Sequence, residues 1–258
     1  MNIDNNTLNS LEEQKSELEK STRLMAMGQM AASLAHEIRN PLGSIELYCG
    51  ILKRELVGEK DKLDLLNHIQ KGITNLSNIV SNCLLFTKDI TVKKQVYNSA
   101  EVFLKETCRY VASQSCNDLK DNSFIKDNIK VTWKDVGDEL FYMDPYIMGQ
   151  IVINLLINSI DACIEYTKKI EHEVSVELDH SQKSSWSLLV KDTGNGIKKD
   201  LVKKLYDPFF TTKEKGTGLG LAIVHSLVDA HEGKIELETI PQNGTTFRIK
   251  FKNNINQK

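Results

Sequence analysis

Between Asp61 and about Lys88 the apolar residues Leu66, Ile69, Ile73, Leu76, Val80 and Cys83 recur in alternating steps of three and four. That spacing makes a seam along one side of a helix. The preceding stretch, from Thr22 to about Leu56, also reads as a helix, and Val57-Gly-Glu-Lys-Asp61 reads as the polar turn between the two. Two antiparallel helices cannot bury such seams alone. Pairing two hairpins into a four-helix bundle does, so the pattern predicts a homodimer. Pro41 should bend the first helix, because its ring removes a backbone donor and crowds the preceding turn. Leu11, Leu18 and Met25, seven apart, predict a helical or coiled-coil entry over residues 1–21.

Past about residue 89 the pattern becomes mixed. Ala100 to Ser113 reads as a helix, and Ile129–Trp133 with Leu140–Tyr142 as a strand pair. A helix opens at Asp144-Pro145 and runs to about Tyr166. Val174, Val176 and Leu178, then Trp186, Leu188 and Val190, alternate as strands do. Thr217 to His231 reads as a helix stopped by Gly233, and Lys234–Ile240 and Thr245–Phe251 as strands. The expected organisation is the entry at 1–21, a helical hairpin domain at 22–90 and an α+β sandwich at 91–258.

A net charge of −2 over 258 residues offers no basic field for direct nucleic-acid contact. Five cysteines, without CxxC spacing, argue for free thiols in a reducing compartment. No run approaching ~20 apolar residues is evident, so the expectation is a cytoplasmic chain without a transmembrane segment.

Two constellations carry chemistry. The first is Ser33-Leu-Ala-His-Glu-Ile-Arg-Asn-Pro-Leu42, with His36, Glu37 beside it and Asn40 one helical turn on. The second lies far downstream. Asn154 and Asn158, four apart, share a helix face, and the Asn158 carbonyl oxygen suits Mg2+, which keeps most of its waters. Asp192 follows an apolar strand and opens Thr-Gly-Asn-Gly196. Its carboxylate can accept from an exocyclic amine, as adenine carries, while Gly194 and Gly196 allow close approach to a base. Gly216, Gly218 and Gly220 precede a helix start suited to phosphate oxygens. Phe209, Lys213 and Lys215 lie just before, on a stretch expected to act as a lid. There is neither a Walker A pattern nor a strand–GxGxxG–helix, so P-loop and dinucleotide folds do not apply.

In this order the motifs resemble those of the sensor histidine kinases of bacterial two-component systems, over roughly residues 22–252. Ser33–Leu42 matches the H box, Asn154–Ala162 the N box, Asp192–Gly196 the G1 box, Asp207–Lys213 the F box and Gly216–Leu221 the G2 box; Gly244-Thr245-Thr-Phe247 is also family-like. The resemblance implies a dimerisation and phosphotransfer hairpin followed by an ATP-binding domain of the Bergerat type. It is nearest to soluble nitrogen-regulation-like kinases and flagellar kinases of the FlgS kind, which act on regulators of σ54-dependent transcription. A neutral His36 is a competent nucleophile near pH 7 for the γ-phosphate of ATP, with Glu37 as base or orienting partner. Phosphoryl transfer to an aspartate of a response regulator would follow. Glu37-Ile-Arg-Asn40 matches the pattern associated with regulator phosphatase activity, so the expectation is a bifunctional enzyme. The competing readings are a chaperone- or topoisomerase-like ATPase, an inert or phosphatase-dominant scaffold, and a serine kinase.

Overall fold

The computed structural model describes residues 38–87, 90–113, 119–120, 123–126, 128–168, 170–213 and 216–253. The chain divides into two compact units, with the break after residue 89. The entry at 1–21 and most of the segment ahead of Pro41 lie outside the described residues.

In the first unit, residues 38–55 form α1. A turn containing Gly58 (φ 97°) leads into α2, Lys60–Thr87. α1 is continuous through Pro41, which sits in its first described turn. Leu42 and Cys49 of α1 cluster with Leu66 and Ile73 of α2. Of the predicted seam, Leu66, Ile73 and Val80 are buried, whereas Ile69 and Leu76 are exposed. α1 likewise leaves Ile38, Ile45 and Leu52 exposed at seven-residue steps. Among the described residues, one hairpin therefore leaves these heptad positions uncovered; the side chain of Cys83 lies outside the described residues.

The second unit is a sheet with helices on one face. Its elements are β1 (Gln95–Tyr97), α3 (Glu101–Ser113), β2 (Leu119–Lys120), β3 (Ser123–Lys126), β4 (Ile129–Val136), β5 (Phe141–Met143), α4 (Pro145–Glu165), β6 (His172–Gln182), β7 (Ser185–Asp192), α5 (Gly220–Ala230), β8 (Gly233–Thr239) and β9 (Thr245–Lys252). The seven-stranded sheet runs β2-β3-β4-β6-β7-β9-β8. β4 and β6 are parallel, as the crossover through α4 requires, and the other neighbours are antiparallel. Strict alternation turns Val174, Val176 and Leu178 of β6 and Trp186, Leu188 and Val190 of β7 inward. α4 packs on β6 and β7, α3 on β4 and α5 on β8.

Two sequence expectations need correction. β4 and β5 are not partners: β4 lies between β3 and β6, while β5 pairs with β1 in a separate two-stranded sheet. α4, at 21 residues, is also long and apolar enough to cross a membrane by length and composition, contrary to the expectation that no stretch came near. Its apolarity has a local cause, because Ile151, Val152, Leu155 and Leu156 are buried in this core. Cys108 is buried in the same core, which pushes its thiol up to about 12 and makes it inert.

α4 begins where the Asp144 side chain accepts from the N–H groups of Tyr146 (3.0 Å) and Ile147 (3.2 Å), with Pro145 following. The Asp144 N–H in turn donates to Nε2 of His231, which caps the C-terminus of α5 (3.1 Å). The incoming chain joins the same node, with Lys93 N–H donating to Asp144 Oδ2 at 2.6 Å and Lys94 pairing with Glu232 at 2.9 Å. His231 is buried against Trp186 and Phe251. Burial, then Lys94, lowers it from 6.5 to about 4, so the fold holds it neutral. As pH falls below 6.5 the unfolded chain takes up the proton first. Stability is therefore complete above that pH and falls progressively toward pH 4. The loss is about 2 kcal/mol by pH 5. Chemical denaturation at pH 7 and pH 5 checks this: wild type should lose that increment, and His231→Gln should not.

Candidate nucleotide site

Asp192 ends β7 as the last inward-facing residue of the series that begins at Trp186. Lys191 pairs with Thr246 of β9, which places the inward Thr245 beside Asp192. Asp192 Oδ1 accepts the Gly194 N–H at 2.9 Å and the Thr245 N–H at 3.1 Å. Ser159 of α4 adds a side-chain hydrogen bond. Asp192 is only 4% exposed, and burial pushes its carboxyl above the usual carboxylate range against the opposing pull of these hydrogen bonds and His172. Such a group is an acceptor held at a cost, suited to a ligand amine. Gly194 lies hard against α4, since an added Cβ would sit 2.7 Å from the Ala162 carbonyl carbon. The Asn195 N–H donates to Ala162 O at 3.2 Å. Gly196 follows at φ 66°.

A second cluster of candidate residues is held by α4, α5 and the loop before α5. Gly220, the first residue of α5, is packed over the paired amides: an added Cβ would lie 3.1 Å from Asn154 Oδ1 and 3.6 Å from Asn158 Nδ2. Asn154 Nδ2 donates to the Gln150 carbonyl at 2.8 Å, which fixes that amide's orientation. Lys213 Nζ donates to Asn158 Oδ1 at 3.2 Å and to Asp161 Oδ2 at 2.8 Å. Two hard oxygens thus converge on one cation, a donor set compatible with Mg2+. α5 has no side-chain N-cap, so its first N–H groups suit an anion.

The predicted helix start at Thr217 is also corrected, because α5 begins at Gly220. Gly218 is left-handed (φ 67°), and its carbonyl accepts the Phe209 N–H at 3.0 Å. Phe209 is itself left-handed (φ 66°) and half exposed. A bulky residue in that region costs on the order of 1–3 kcal/mol, strain that concentrates at functional loops. Gly216 abuts the Thr211 side chain.

The structure therefore assembles Asn154, Asn158, Lys213 and Gly220 on one side, Asp192, Gly194, Gly196 and Thr245 on another, and Phe209, Gly216 and Gly218 in the connecting loop. Asn40 is exposed on α1, in the first unit. His36, Glu37 and Lys215 lie outside the described residues. Sequence reasoning missed Ser159 and Asp161. Their signal was present, since Asp161 is three residues past Asn158 on the same helix face.

The family model of histidine kinase-, DNA gyrase B- and HSP90-like ATPases matches residues 143–255, which places the sheet-and-helix unit in that class of ATPase domain. The His Kinase A (phospho-acceptor) domain model matches residues 26–90. The chain belongs to the sensor histidine kinases of bacterial two-component systems. It is 34% identical to the sensor histidine kinase FlgS of Helicobacter pylori (strain ATCC 700392 / 26695), over 91% of this chain and 57% of that protein. It is 30% identical to the signal transduction histidine-protein kinase AtoS of Escherichia coli (strain K12), over 94% of this chain and 37% of AtoS. The chain thus spans about half or less of the length of these relatives. The solved structure of histidine kinase ThkA in complex with response regulator protein TrrA aligns with a TM-score of 0.54 and 25% identity, covering 96% of this chain and 68% of that one. The resemblance to flagellar kinases read from the motifs agrees with the FlgS match.

Proposed function

We propose that this chain is an ATP-dependent protein-histidine kinase that phosphorylates His36 and passes the phosphoryl group to an aspartate of a response regulator. The observation that carries the reading is the convergence of Asn158, Lys213 and the uncapped start of α5, with the buried Asp192 held nearby in the same unit. Asp192 receives the adenine amine, and Gly194, Gly196 and Thr245 shape its surroundings. Asn154, Asn158, Lys213, Lys215 and the Gly216–Gly220 amides hold the phosphates, and Phe209 anchors the lid. Asn158 would hold Mg2+, whose charge neutralises the transferring group. His36 attacks through its distal ring nitrogen. The N–P bond forms as the γ-phosphorus parts from the bridging oxygen of ADP, and the proximal N–H loses its proton with Glu37 as base or orienting partner.

Asn40 positions water against the regulator's acyl phosphate, which makes the enzyme bifunctional. The uncovered heptad positions Ile38, Ile45, Leu52, Ile69 and Leu76 support a homodimer joined as a four-helix bundle. The finer assignments are a σ54-dependent activator as the regulator and the cytoplasm as the site of action.

Incubation with γ-labelled ATP and Mg2+ tests the reading. Wild type should carry an acid-labile, alkali-stable label, and His36→Gln none. A label that survives the substitution, or a wild type that binds ATP without labelling, overturns it.

A further inference from the structure

Asn158 and Asp161 lie one turn apart on α4 and aim their oxygens at a single point, which the Lys213 ammonium occupies at 3.2 and 2.8 Å. Lys213 and Asp161 are partly exposed, 26% and 41% at their side chains. An ion pair in that setting is weak and readily exchanged. The same loop carries Lys213 to Gly216, whose N–H donates to the Lys213 carbonyl at 3.3 Å, and on to the start of α5. Asn158, which the ammonium meets through Oδ1 at 3.2 Å, also lies against the first residue of α5, since a Cβ added at Gly220 would be 3.6 Å from its Nδ2. We propose that Asn158 and Asp161 form one cation pocket, which Lys213 fills and which Mg2+ fills in exchange when Lys213 moves to a nucleotide phosphate.

Chemistry favours that exchange. Mg2+ prefers hard oxygens and is bound through one or two carboxylates plus phosphates, whereas an amide alone brings no charge. Lysine is a compact point charge on a flexible stem, able to leave a carboxylate for a phosphate without backbone change. Asp161 thereby becomes a determinant of metal dependence, a role distinct from that of the amide pair. The inference rests on the nucleotide reading above.

The test compares ATP affinity, by calorimetry on the full chain, in Mg2+ and in EDTA. The ratio of the two dissociation constants reports how much the metal contributes on the protein. Asp161→Asn should lower that ratio at least fivefold relative to wild type, while Lys213→Met should raise it because the competing cation is gone. The opposite signs separate a shared cation pocket from a purely structural ion pair, whose loss would move both variants the same way. An unchanged ratio in Asp161→Asn, or shifts of the same sign, overturns the proposal while leaving the nucleotide site standing. A wild type that binds no ATP in either buffer overturns both.

Discussion

Asp192→Asn is expected to weaken ATP binding by about ten- to 150-fold while making the fold more stable at pH 7. The affinity estimate is the loss of a hydrogen bond to a charged group, about 1.5–3 kcal/mol. An amide retains an oxygen for the Gly194 and Thr245 N–H groups, which the carboxylate serves at 2.9 and 3.1 Å. It also brings its own donor toward a ligand amine, so part of the site becomes donor against donor. The stability gain follows from the raised carboxyl. A carboxyl raised in the fold contributes stability when protonated, below its unfolded value, and that contribution is lost as pH rises through the folded value. At pH 7 the fold therefore carries a buried charge at a cost that the neutral amide avoids. Calorimetry with ATP and thermal melts at pH 7 check both halves. A variant that loses affinity and melting temperature together would mean that Asp192 serves the fold and not the ligand.

Gly244→Ala is expected to destabilise the second unit by roughly 2–4 kcal/mol, a fall of about 5–15 °C in melting temperature. Gly244 turns the chain between β8 and β9 at φ 94°, beyond the left-handed region that other residues tolerate. An added Cβ would overlap the Asp192 carbonyl oxygen and lie 2.9 Å from its carbon. The backbone must shift, and the next N–H, that of Thr245, is one of the two donors to Asp192 Oδ1. Nucleotide affinity should fall with stability. Gly149→Ala is the control: its new methyl would meet only Phe103, at 3.9 Å, so a helical glycine there can be replaced at no loss or with a small gain. Equal melting temperatures for wild type and Gly244→Ala would refute the account.

The order of the motifs, the heptads of α2 and the alternation of β6, β7 and β9 were legible in the residues, because side-chain direction along a helix or strand is a local property. Alternation alone makes Asp192 the inward continuation of Trp186, Leu188 and Val190. Pairing is not local. β4 and β5 are neighbours in sequence, yet β4 finds its parallel partner β6 across the whole of α4, and β5 closes on β1. Nor does spacing reveal that Gly218 must be left-handed to receive the Phe209 N–H, which delays α5 to Gly220. The residues thus determined which faces turn inward. Only the tertiary structure decided that Lys213 meets Asn158 and Asp161, because that contact joins positions more than fifty residues apart through the packing of a loop against a helix.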